Sequence, residues 1–467
     1  MPLQFLRHGK IETVEHFAPD TMVLDYLRLT EKSRGTKEGC NEGDCGACTV
    51  VLGEAVDGKM QYKAVNACIL FLGQIHGKEL ITVEDLAQGG KLHPVQQAMV
   101  DHHGSQCGFC TPGIVMSLFA LGHCTRKASR EDVVTALAGN LCRCTGYRPI
   151  IDAGLQACND LHDQFDDGSA AALSKIADGD LWVGNEDQFF AAPATGKALA
   201  NLVAHYPMAR IVAGATDVGL WVTKQFRSQK QIIYTGRAKG FASVSNQGEA
   251  LFLGAGATYA DAMTALAACA PDMGAIMHRI GSVQVRNSGT IGGNIANGSP
   301  IGDMPPMLIA LGAQLVLRRG ENERRIKLED FFIDYGKQDR QAGELVWAIE
   351  VPILGPRQQF KAYKISKRFD QDISAVMAAF LFTMDGAKIT EARIAFGGMA
   401  ATPKRASKTE AALKGKTIAE AMSITLDDYA PITDMRASSQ YRHETAQALL
   451  TKALMELQGA EKTRVLA

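Results

Sequence analysis

The chain has 467 residues, of which 46% are hydrophobic and 21% are charged. This composition excludes a small disulfide-stapled peptide and a mostly disordered chain, and at roughly 150 residues per domain the length predicts about three domains. Lys and Arg number 49 against 50 Asp and Glu, a net charge of -1 that lacks the basic excess needed to attract nucleic acid or an anionic membrane, so we expect neither as a partner.

The first residues carry Arg7, His8 and Lys10 before any apolar run that could form a secretory signal. No segment reaches the ~20 apolar residues of a membrane-spanning helix, so we expect a cytoplasmic protein. Ten of the eleven cysteines lie before residue 160, and only Cys269 lies after it. Cytoplasmic thiols rarely form disulfides, so this clustering predicts metal or redox chemistry in the first third of the chain.

Residues 1–81 read as a small α+β domain with short strands, a helical turn near residues 21–29 and a loop rich in Gly and Cys. The sequence GCNEGDCGACTV spaces its cysteines by four and then two residues, and a fourth follows after nineteen more. Plant-type ferredoxins use this spacing for a [2Fe–2S] cluster, and the glycines allow the tight turn that brings thiolates together. The predicted ligands are Cys40, Cys45, Cys48 and Cys68. The alternatives are a structural zinc site or core thiols without a role.

Residues 82–165 place apolar side chains at helical spacing, which predicts a compact helical domain. The sequence QCGFCTPG holds one cysteine pair with two residues between them, and NLCRCTGYRP holds a second pair with one residue between them. A one-residue gap is unusual for structural zinc. We therefore predict a second cluster, with ligands Cys107, Cys110, Cys142 and Cys144.

Thr111 and Pro112 predict where the helix after the first pair begins. A hydroxyl residue is favoured at the N-cap and proline at the first helical position. The first pair would then lie in the turn entering a helix, where the helix dipole favours thiolate over thiol.

Residues 166–180, DDGSAAALSKIADGD, are small, polar and acidic and predict a linker between domains. Residues 181–350 alternate strand-like and helical segments, and residues 351–467 combine further strands with a helical tail after Tyr441. Two more α+β domains are therefore expected.

Two glycine turns in residues 181–350 suit a bound cofactor. In RIVAGATDVGL, residues 210–220, an apolar strand enters a glycine turn and then a helix, so backbone N–H groups could face a diphosphate. In TIGGNIANGSPIGDMPP, residues 290–306, a pliable glycine loop is predicted, with Asn294 and Asp303 available to ribityl or phosphate groups. On local sequence alone either could be an ordinary surface turn. GAGATY at 254–259 lacks the third glycine of the dinucleotide fingerprint, so we assign it no cofactor.

The ferredoxin-like loop followed by C-x2-C and C-R-C-T-G-Y-R-P elements resembles the iron–sulfur portion of the molybdenum hydroxylases over residues 1 to about 160. The glycine turns resemble the flavin domain of the same family, to about residue 405. The resemblance implies a multidomain α+β fold. Its parts would be an N-terminal β-grasp [2Fe–2S] ferredoxin-like domain, a helical-bundle [2Fe–2S] domain, a vanillyl-alcohol-oxidase-type FAD-binding domain and a C-terminal α+β domain.

In that family the helical cluster faces a molybdopterin cofactor and the ferredoxin-like cluster faces the flavin. By this resemblance Gln106 and Cys144 lie nearest the molybdopterin, and nicotinamide approaches the loop after residue 364. The residues implied to bind FAD are Ile211, Val212, Ala213, Gly214, Ala215, Thr216, Asp217, Val218, Ile280, Thr290, Ile291, Gly292, Gly293, Asn294, Asp303, Val346 and Lys364.

Two one-electron clusters beside a flavin can convert single electrons into hydride, so we predict NAD+ as the acceptor. No residues remain for a molybdenum site. The substrate site is therefore expected on a large molybdenum-cofactor subunit, with two small and two large chains by resemblance. The order of the domains in one chain resembles that of the purine-oxidising branch of the family, and this resemblance implies the oxidation of hypoxanthine and xanthine to urate.

Three alternatives stay open at this point. The chain could be a self-contained NADH-dependent iron–sulfur flavoprotein reductase, or a relative acting on aldehydes or other heterocycles. A zinc-stapled interaction protein would use the same eight cysteines and would be colourless. The remaining cysteines, Cys124, Cys158 and Cys269, are predicted to be buried free thiols without a role.

Overall fold

The computed structural model describes residues 1–125, 127–159, 161, 165 and 168–461. The chain divides into two units. The first comprises Met1–Leu202, Met208–Lys239 and Gly281–Gly289, and the second comprises Val203–Pro207, Gly240–Ile280 and Thr290–Ala467.

A five-stranded sheet opens the first unit in the order β2-β1-β5-β3-β4, with β1 parallel to β5 and the other neighbours antiparallel. Buried apolar side chains of Val23, Leu24 and Leu27 pack a short helical segment against it, which gives the predicted β-grasp arrangement. Its elements are β1 (Leu3–Arg7), β2 (Lys10–Val14), α1 (Val23–Asp25) with the π-helical turn Tyr26–Glu31, β3 (Thr49–Val56), β4 (Lys59–Asn66), the 3₁₀ turn Leu72–Ile75, β5 (Glu79–Ile81) and α2 (Val83–Leu86).

The predicted helical domain follows in the same unit. The central helix is buried along most of its length, because it is apolar on nearly every face. It packs with its neighbours around Val95, Leu118 and Ile150. The helices are α3 (Pro94–Asp101), α4 (Thr111–Cys124), α5 (Arg130–Leu137) and α6 (Arg148–Asn159).

A short helix, α7 (Ser169–Leu173), forms inside the segment predicted as a linker, whose residues 166 and 167 lie outside the described residues. Its alanines favour helix. Leu173 and Ile176 pack against Leu6, and the Ser169 hydroxyl donates to the Glu79 carboxylate at 3.1 Å.

A second sheet in the first unit has the order β6-β7-β9-β8, with β9 parallel to both of its neighbours. Parallel pairing fits its buried, nearly continuous apolar strands. The elements of this stretch are β6 (Leu181–Gly184), β7 (Phe189–Ala192), α8 (Gly196–His205), β8 (Arg210–Val212), α9 (Val218–Thr223) and β9 (Gln231–Tyr234), and α8 from Val203 onward is counted with the second unit.

The second unit holds an antiparallel five-stranded sheet in the order β10-β11-β16-β12-β13 and the two-stranded sheet β14-β15. Within this stretch of sequence, α12 belongs to the first unit, where Asn287 donates to the Ala64 carbonyl of β4 at 3.0 Å. The elements are β10 (Val244–Asn246), β11 (Ala250–Gly254), α10 (Tyr259–Cys269), α11 (Pro271–Met277), α12 (Val283–Ser288), α13 (Ile291–Asn297), α14 (Met304–Leu311), β12 (Gln314–Arg319), β13 (Asn322–Lys327), α15 (Leu328–Phe331), β14 (Phe332–Asp334), β15 (Lys337–Gln338) and β16 (Leu345–Pro352).

The last part of the second unit is an antiparallel sheet, β17-β18-β19-β20, with the carboxy-terminal helix packed on it. The predicted strands and helical tail are confirmed, and their core includes Phe380, Phe396 and Leu450. The elements are β17 (Gln358–Ile365), β18 (Val376–Asp385), β19 (Lys388–Gly397), β20 (Lys404–Arg405), α16 (Ser407–Leu413), α17 (Ile418–Ala421) and α18 (Ser439–Leu457).

Across the part of the chain that the structure describes, no helix has the length and apolar character required to cross a lipid bilayer.

Candidate functional site

The first cysteine loop brings its four thiols together in two pairs. The backbone N–H groups of Cys40 and Cys45 each point at the other residue's Sγ, at 3.3 Å. The Sγ atoms of Cys48 and Cys68 lie 3.2 Å apart. A [2Fe–2S] cluster takes two thiolates on each of its two irons. The donor set therefore fits such a cluster, with one pair for each iron.

The loop can approach its own sulfurs because two positions lack side chains. A Cβ atom at Gly39 would lie 2.7 Å from Cys45 Sγ. At Gly46 the backbone takes a φ of +69°, and a Cβ atom there would collide with the Gly139 carbonyl oxygen. Any substitution at these glycines would force the loop away from its sulfurs or from the chain beside it.

Hydrogen bonding within each thiol pair makes one member a better thiolate. The pKa of Cys40 is lowered to about 5 by its hydrogen bond with Cys45 and by backbone N–H groups of the loop. The pKa of Cys48 is lowered by its hydrogen bond with Cys68, with Asn66 Nδ2 also 3.8 Å from its sulfur. The same contacts raise the pKa of Cys45 and Cys68. In each pair the pKa of one thiol is thus lowered toward the thiolate, the form that binds iron.

The second cysteine site, formed by Cys107, Cys110, Cys142 and Cys144, lies at the start of α4. The helix begins one residue earlier than predicted, because Cys110 already has helical backbone angles and is the N-cap. The prediction that Thr111 is the cap is therefore wrong. Its hydroxyl instead lies 2.7 Å from that of Ser105. Cys110 still enters the helix at its positive end, as predicted.

These four thiols also meet two by two. Burial and a hydrogen bond with Cys142 raise the pKa of Cys110 to about 12, and a hydrogen bond with Cys107 raises the pKa of Cys144. The Cys142 N–H donates to the Tyr147 hydroxyl at 2.8 Å, which fixes the turn. The pairing again matches two irons with two thiolates each.

The thiols of each site meet in pairs. Among the described residues, no three His, Cys, Asp or Glu side chains converge as a mononuclear metal site would require. Structural zinc needs four donors around one centre. The paired thiols therefore fit binuclear clusters better than the zinc alternative.

The two loops are joined directly by backbone and amide hydrogen bonds. The Leu141 N–H donates to the Cys45 carbonyl at 2.9 Å, and Asn140 Nδ2 donates to the Gly46 carbonyl at 3.2 Å. One peptide link and one hydrogen bond thus connect ligand residue Cys142 to ligand residue Cys45. Sequence reasoning missed Asn140, whose position two residues before Cys142 was the only local signal.

Gln106, the residue implied to lie near a molybdopterin, is exposed together with Cys107 and Cys144. The second cysteine site therefore opens at the surface of the first unit, whereas Cys48 and Cys68 of the first site are buried.

In the first unit, the segment Ile211–Val218 forms the strand, turn and helix start that the sequence predicted. Gly214 lies so close to the Ser288 carbonyl that a Cβ atom would collide with it, and Ala215 has a φ of +60°. The N–H groups of Gly214, Ala215 and Thr216 donate to no acceptor within the described residues. Consecutive free N–H groups in such a turn form an anion-binding concavity, which fits a diphosphate.

The helix after this turn rests on the first cysteine loop. A Cβ atom at Gly219 of α9 would lie 2.8 Å from the Ile69 carbonyl oxygen, and Leu220 packs on the core that contains Cys48 and Cys68. Lys224 Nζ donates to the Cys40 carbonyl at 3.0 Å. The predicted diphosphate turn and the predicted cluster loop are therefore linked by one helix.

In the second unit, the segment after Thr290 is a short helix, α13, where a pliable loop was predicted. The helix forms because the Thr290 hydroxyl accepts the Gly293 N–H at 3.0 Å and Gly292 packs tightly on Ala255. Asn294 Oδ1 is buried and has no hydrogen-bond partner among the described residues. An orphaned buried acceptor costs free energy, so it fits a hydroxyl donor from a bound cofactor.

Asp303 and Lys364 lie together in the second unit as a buried ion pair. Their Oδ2 and Nζ atoms are 2.6 Å apart, and the two side chains are 9% and 1% exposed. Ser374, which sequence reasoning missed, donates to Asp303 Oδ1 at 2.5 Å and accepts from Lys364 at 2.9 Å. Of the other two predicted residues of this unit, Val346 is buried in β16 and Ile280 is half-buried after α11.

The three unassigned cysteines do not share one environment. Cys158 is buried as predicted, whereas Cys269 is half-buried and Cys124 is exposed. Cys124 ends α4, where the helix leaves the core, so the prediction of burial is wrong there.

Known families match the chain in the order expected from the cysteine motifs. The 2Fe-2S iron-sulfur cluster binding domain matches residues 6–72, and the [2Fe-2S] binding domain matches residues 82–155. The FAD binding domain in molybdopterin dehydrogenase matches residues 186–354, and the CO dehydrogenase flavoprotein C-terminal domain matches residues 361–457. The predicted multidomain fold, with two [2Fe–2S]-binding domains and an FAD-binding domain, is confirmed.

Curated relatives match most of the chain. The xanthine dehydrogenase of Blastobotrys adeninivorans is 31% identical over 89% of this chain, and that of Drosophila subobscura is 33% identical over 87%. The chain spans only 37% and 35% of the length of these two proteins.

Among solved structures, a chain of the reconstituted CO dehydrogenase from Oligotropha carboxidovorans is 25% identical, with a TM-score of 0.54. The match covers 60% of this chain and 99% of the CO dehydrogenase chain. Together with the two cysteine sites, these similarities identify the chain as a member of the molybdenum hydroxylase family, of which it carries the iron–sulfur and FAD-binding portion.

Proposed function

We propose that the chain is the electron-transfer subunit of a xanthine dehydrogenase. It carries electrons from a molybdenum cofactor on a large partner chain through two [2Fe–2S] clusters and FAD to NAD+, while hypoxanthine and xanthine are oxidised to urate. The observation that carries the proposal is the unbroken series of contacts in the first unit, from the second cysteine site through the first to the predicted diphosphate turn.

Each link of that series belongs to residues of this chain. Cys142 is joined to the first cysteine loop by the Leu141 N–H on the Cys45 carbonyl. The first loop in turn supports α9 through Lys224 and Gly219, directly after the turn with free N–H groups. When bound, the clusters supply one-electron transfer and the flavin exchanges single electrons for hydride. The protein fixes the order in which these groups meet.

The exposure of the second cysteine site supports the binding of a large partner chain there. Gln106, Cys107 and Cys144 lie at the surface, where a large subunit could bring its molybdenum cofactor close to the second cluster. We infer an assembly of two small and two large chains from family resemblance.

The choice of a purine substrate is supported by how much of the chain the relatives match. A single xanthine dehydrogenase sequence matches 89% of this chain in one case and 87% in the other. The CO dehydrogenase chain matches 60% of it. Both iron–sulfur domains and the flavin domain in one chain are thus a feature shared with the xanthine dehydrogenases. We further propose that nicotinamide meets the flavin near the loop after Lys364.

Affinity capture of the chain from its native host tests the proposal. We expect a large molybdenum-containing partner, iron and FAD in the preparation, and NAD+ reduction that depends on xanthine. Aldehyde oxidation without xanthine oxidation would identify another branch of the family. A chain recovered alone, with iron and flavin and active with NADH, would favour a self-contained reductase. Colourless protein containing zinc would overturn the iron–sulfur assignment.

A further inference from the structure

A fully buried glutamine lies in the bridge between the two cysteine sites, although it comes from a distant part of the sequence. Gln284 is on α12, is 0% exposed, and belongs to the first unit. Gly139 makes room for this segment, because a Cβ atom there would collide with the Gln284 side chain. Sequence reasoning assigned this glutamine no role.

The Gln284 side-chain N–H₂ group has two hydrogens and lies within hydrogen-bond distance of three oxygens from three different segments. Nε2 lies 3.2 Å from the Thr49 hydroxyl, 3.1 Å from the Ser117 hydroxyl and 3.1 Å from Asn140 Oδ1. Thr49 directly follows ligand Cys48, Ser117 is on α4 behind ligand Cys110, and Asn140 precedes ligand Cys142. One amide group therefore contacts residues that lie next to the ligands of both cysteine sites.

The neighbouring hydrogen bonds require a donor at this place. The Thr49 hydroxyl donates to the Gly46 carbonyl at 2.7 Å, and the Ser117 hydroxyl donates to Asn140 Oδ1 at 2.7 Å. Each hydroxyl has one hydrogen, so toward Gln284 both can only accept. An amide N–H₂ can donate to them, whereas a carboxylate or an apolar side chain cannot. Without it, the Thr49 hydroxyl still accepts from Asn140 Nδ2 at 3.3 Å, but the three segments lose the donor that they share.

We propose that Gln284 is a positioning residue for electron transfer between the two clusters. Gln284 holds Thr49, Ser117 and Asn140 together and so keeps the segments of Gly46 and Asn140 in contact. This contact maintains the hydrogen bond from the Leu141 N–H to the Cys45 carbonyl. The inference rests on the proposed electron-transfer function. It adds that the distance between the clusters is set by a side chain that contacts neither of them.

The test compares Gln284→Leu with the unaltered full chain after iron, sulfide and FAD have been incorporated. Iron and FAD contents come first, followed by low-temperature EPR of the reduced protein and the rate of electron equilibration between clusters after flash photoreduction. Two paramagnetic clusters split each other's signals with a strength that depends steeply on their separation. We expect unchanged iron and FAD, a smaller splitting, and a several-fold slower equilibration in the variant.

Gln96→Leu is the matched control. Gln96 is a partly buried glutamine of the same unit, and its amide lies away from the bridge: Oε1 accepts from the His93 N–H and Nε2 donates to the Val83 carbonyl. It should lose amide hydrogen bonds without changing the splitting. Unchanged splitting and rate in Gln284→Leu with both clusters present would overturn the proposal.

If Gln284→Leu fails to hold iron, Ser117→Ala decides. That variant removes one oxygen bonded to Gln284 and leaves the glutamine in place. A reduced splitting would support the positioning role, and an unaltered splitting would reject it. Failure of the proposed function would look different, because the unaltered chain would then hold both clusters and FAD yet pass no electrons between them.

Discussion

At the scale of single residues, the chemistry depends on thiols that meet in pairs. Cys40 is hydrogen-bonded with Cys45 and Cys48 with Cys68, and the pKa of Cys40 falls to about 5. Because each pair supplies two donors on one side of the loop, removal of one thiol leaves an iron with a single cysteine ligand.

Cys45→Ser should therefore lose the first cluster while FAD and the second cluster stay bound. The measurement is iron and FAD per chain with the visible spectrum, and about half of the iron should disappear because two clusters contribute equally. NAD+ reduction through the chain should be interrupted. Cys124→Ser is the control, since Cys124 is exposed and lies outside both sites. Unchanged iron and turnover in Cys45→Ser would disprove the assignment of the first loop.

The buried pair of Asp303 and Lys364 gives a second prediction for single residues. Lys364→Met leaves the Asp303 carboxylate buried without its cation, and breaking a buried pair in this way typically costs about 3–5 kcal/mol. We expect weaker protection of the β18 amides in hydrogen exchange and reduced FAD content, with both clusters retained.

Lys367→Met is the matched control for Lys364→Met. Lys367 is exposed and donates to the Met435 carbonyl at 2.9 Å, so its loss should change stability by less than about 0.5 kcal/mol. Equal protection and equal FAD content in the two variants would show that Lys364 neither supports FAD binding nor stabilises the second unit.

At the scale of elements, the first sheet is held by a charged pair between β3 and the residue before β5. Glu54 Oε1 and Lys78 Nζ lie 2.6 Å apart. The charge of Lys78 lowers the pKa of Glu54 from its ordinary 4.5 to about 2. Since the folded pKa is depressed, the pair contributes stability above the ordinary pKa and loses it as the pH falls toward the folded one.

Acid should therefore weaken the ferredoxin-like sheet over the range between those two pKa values. At about 1.4 kcal/mol for each pKa unit, the pair contributes at most about 3.5 kcal/mol, and less because both side chains are partly exposed. Lys78→Met should be less stable than the unaltered chain at pH 6, and the difference should shrink as the pH approaches the folded pKa. Hydrogen exchange of β3 amides at several pH values measures it. A difference that is constant with pH would contradict the pairing, and Lys59→Met on the same sheet serves as control.

At the scale of the whole molecule, the two units hold different parts of the predicted machinery. All eight predicted cluster ligands and the turn Ile211–Val218 belong to the first unit, and α13 with the Asp303–Lys364 pair belongs to the second. A group that binds only the folded state stabilises the part of the chain that binds it.

Removal of iron should therefore affect the units unequally. With clusters removed by a chelator under reducing conditions, we expect faster hydrogen exchange in β3, β4 and the start of α4. Amides of β18 and β19 should keep most of their protection. Reconstitution with iron and sulfide, but not with zinc, should restore the first unit. Equal loss of protection in both units would argue against clusters bound by the first unit alone.

How much of this could be foreseen depends on how local the information is. The spacing of Cys40, Cys45 and Cys48 is a property of one loop, so the sequence itself identified the ligand set and the ferredoxin-like domain. Apolar side chains at helical spacing likewise predicted the helical domain, and strand-like segments predicted the strands within residues 351–467. Small errors arose where a neighbour decided the backbone, as at Thr111 and in α13, where packing against Ala255 made a helix of a glycine-rich segment.

Only the tertiary structure decided which residues meet across long stretches of chain. Gln284 reaches Ser117 and Thr49 over 167 and 235 positions, and Lys364 reaches Asp303 over 61. A glutamine, a serine and an asparagine carry no distinctive spacing, because a buried hydrogen-bond network is specified by geometry in three dimensions and not by order along the chain. The sequence by itself therefore determined which cysteines form the two predicted cluster sites. The tertiary structure decided which distant residues join those sites, because these contacts depend on the folded geometry.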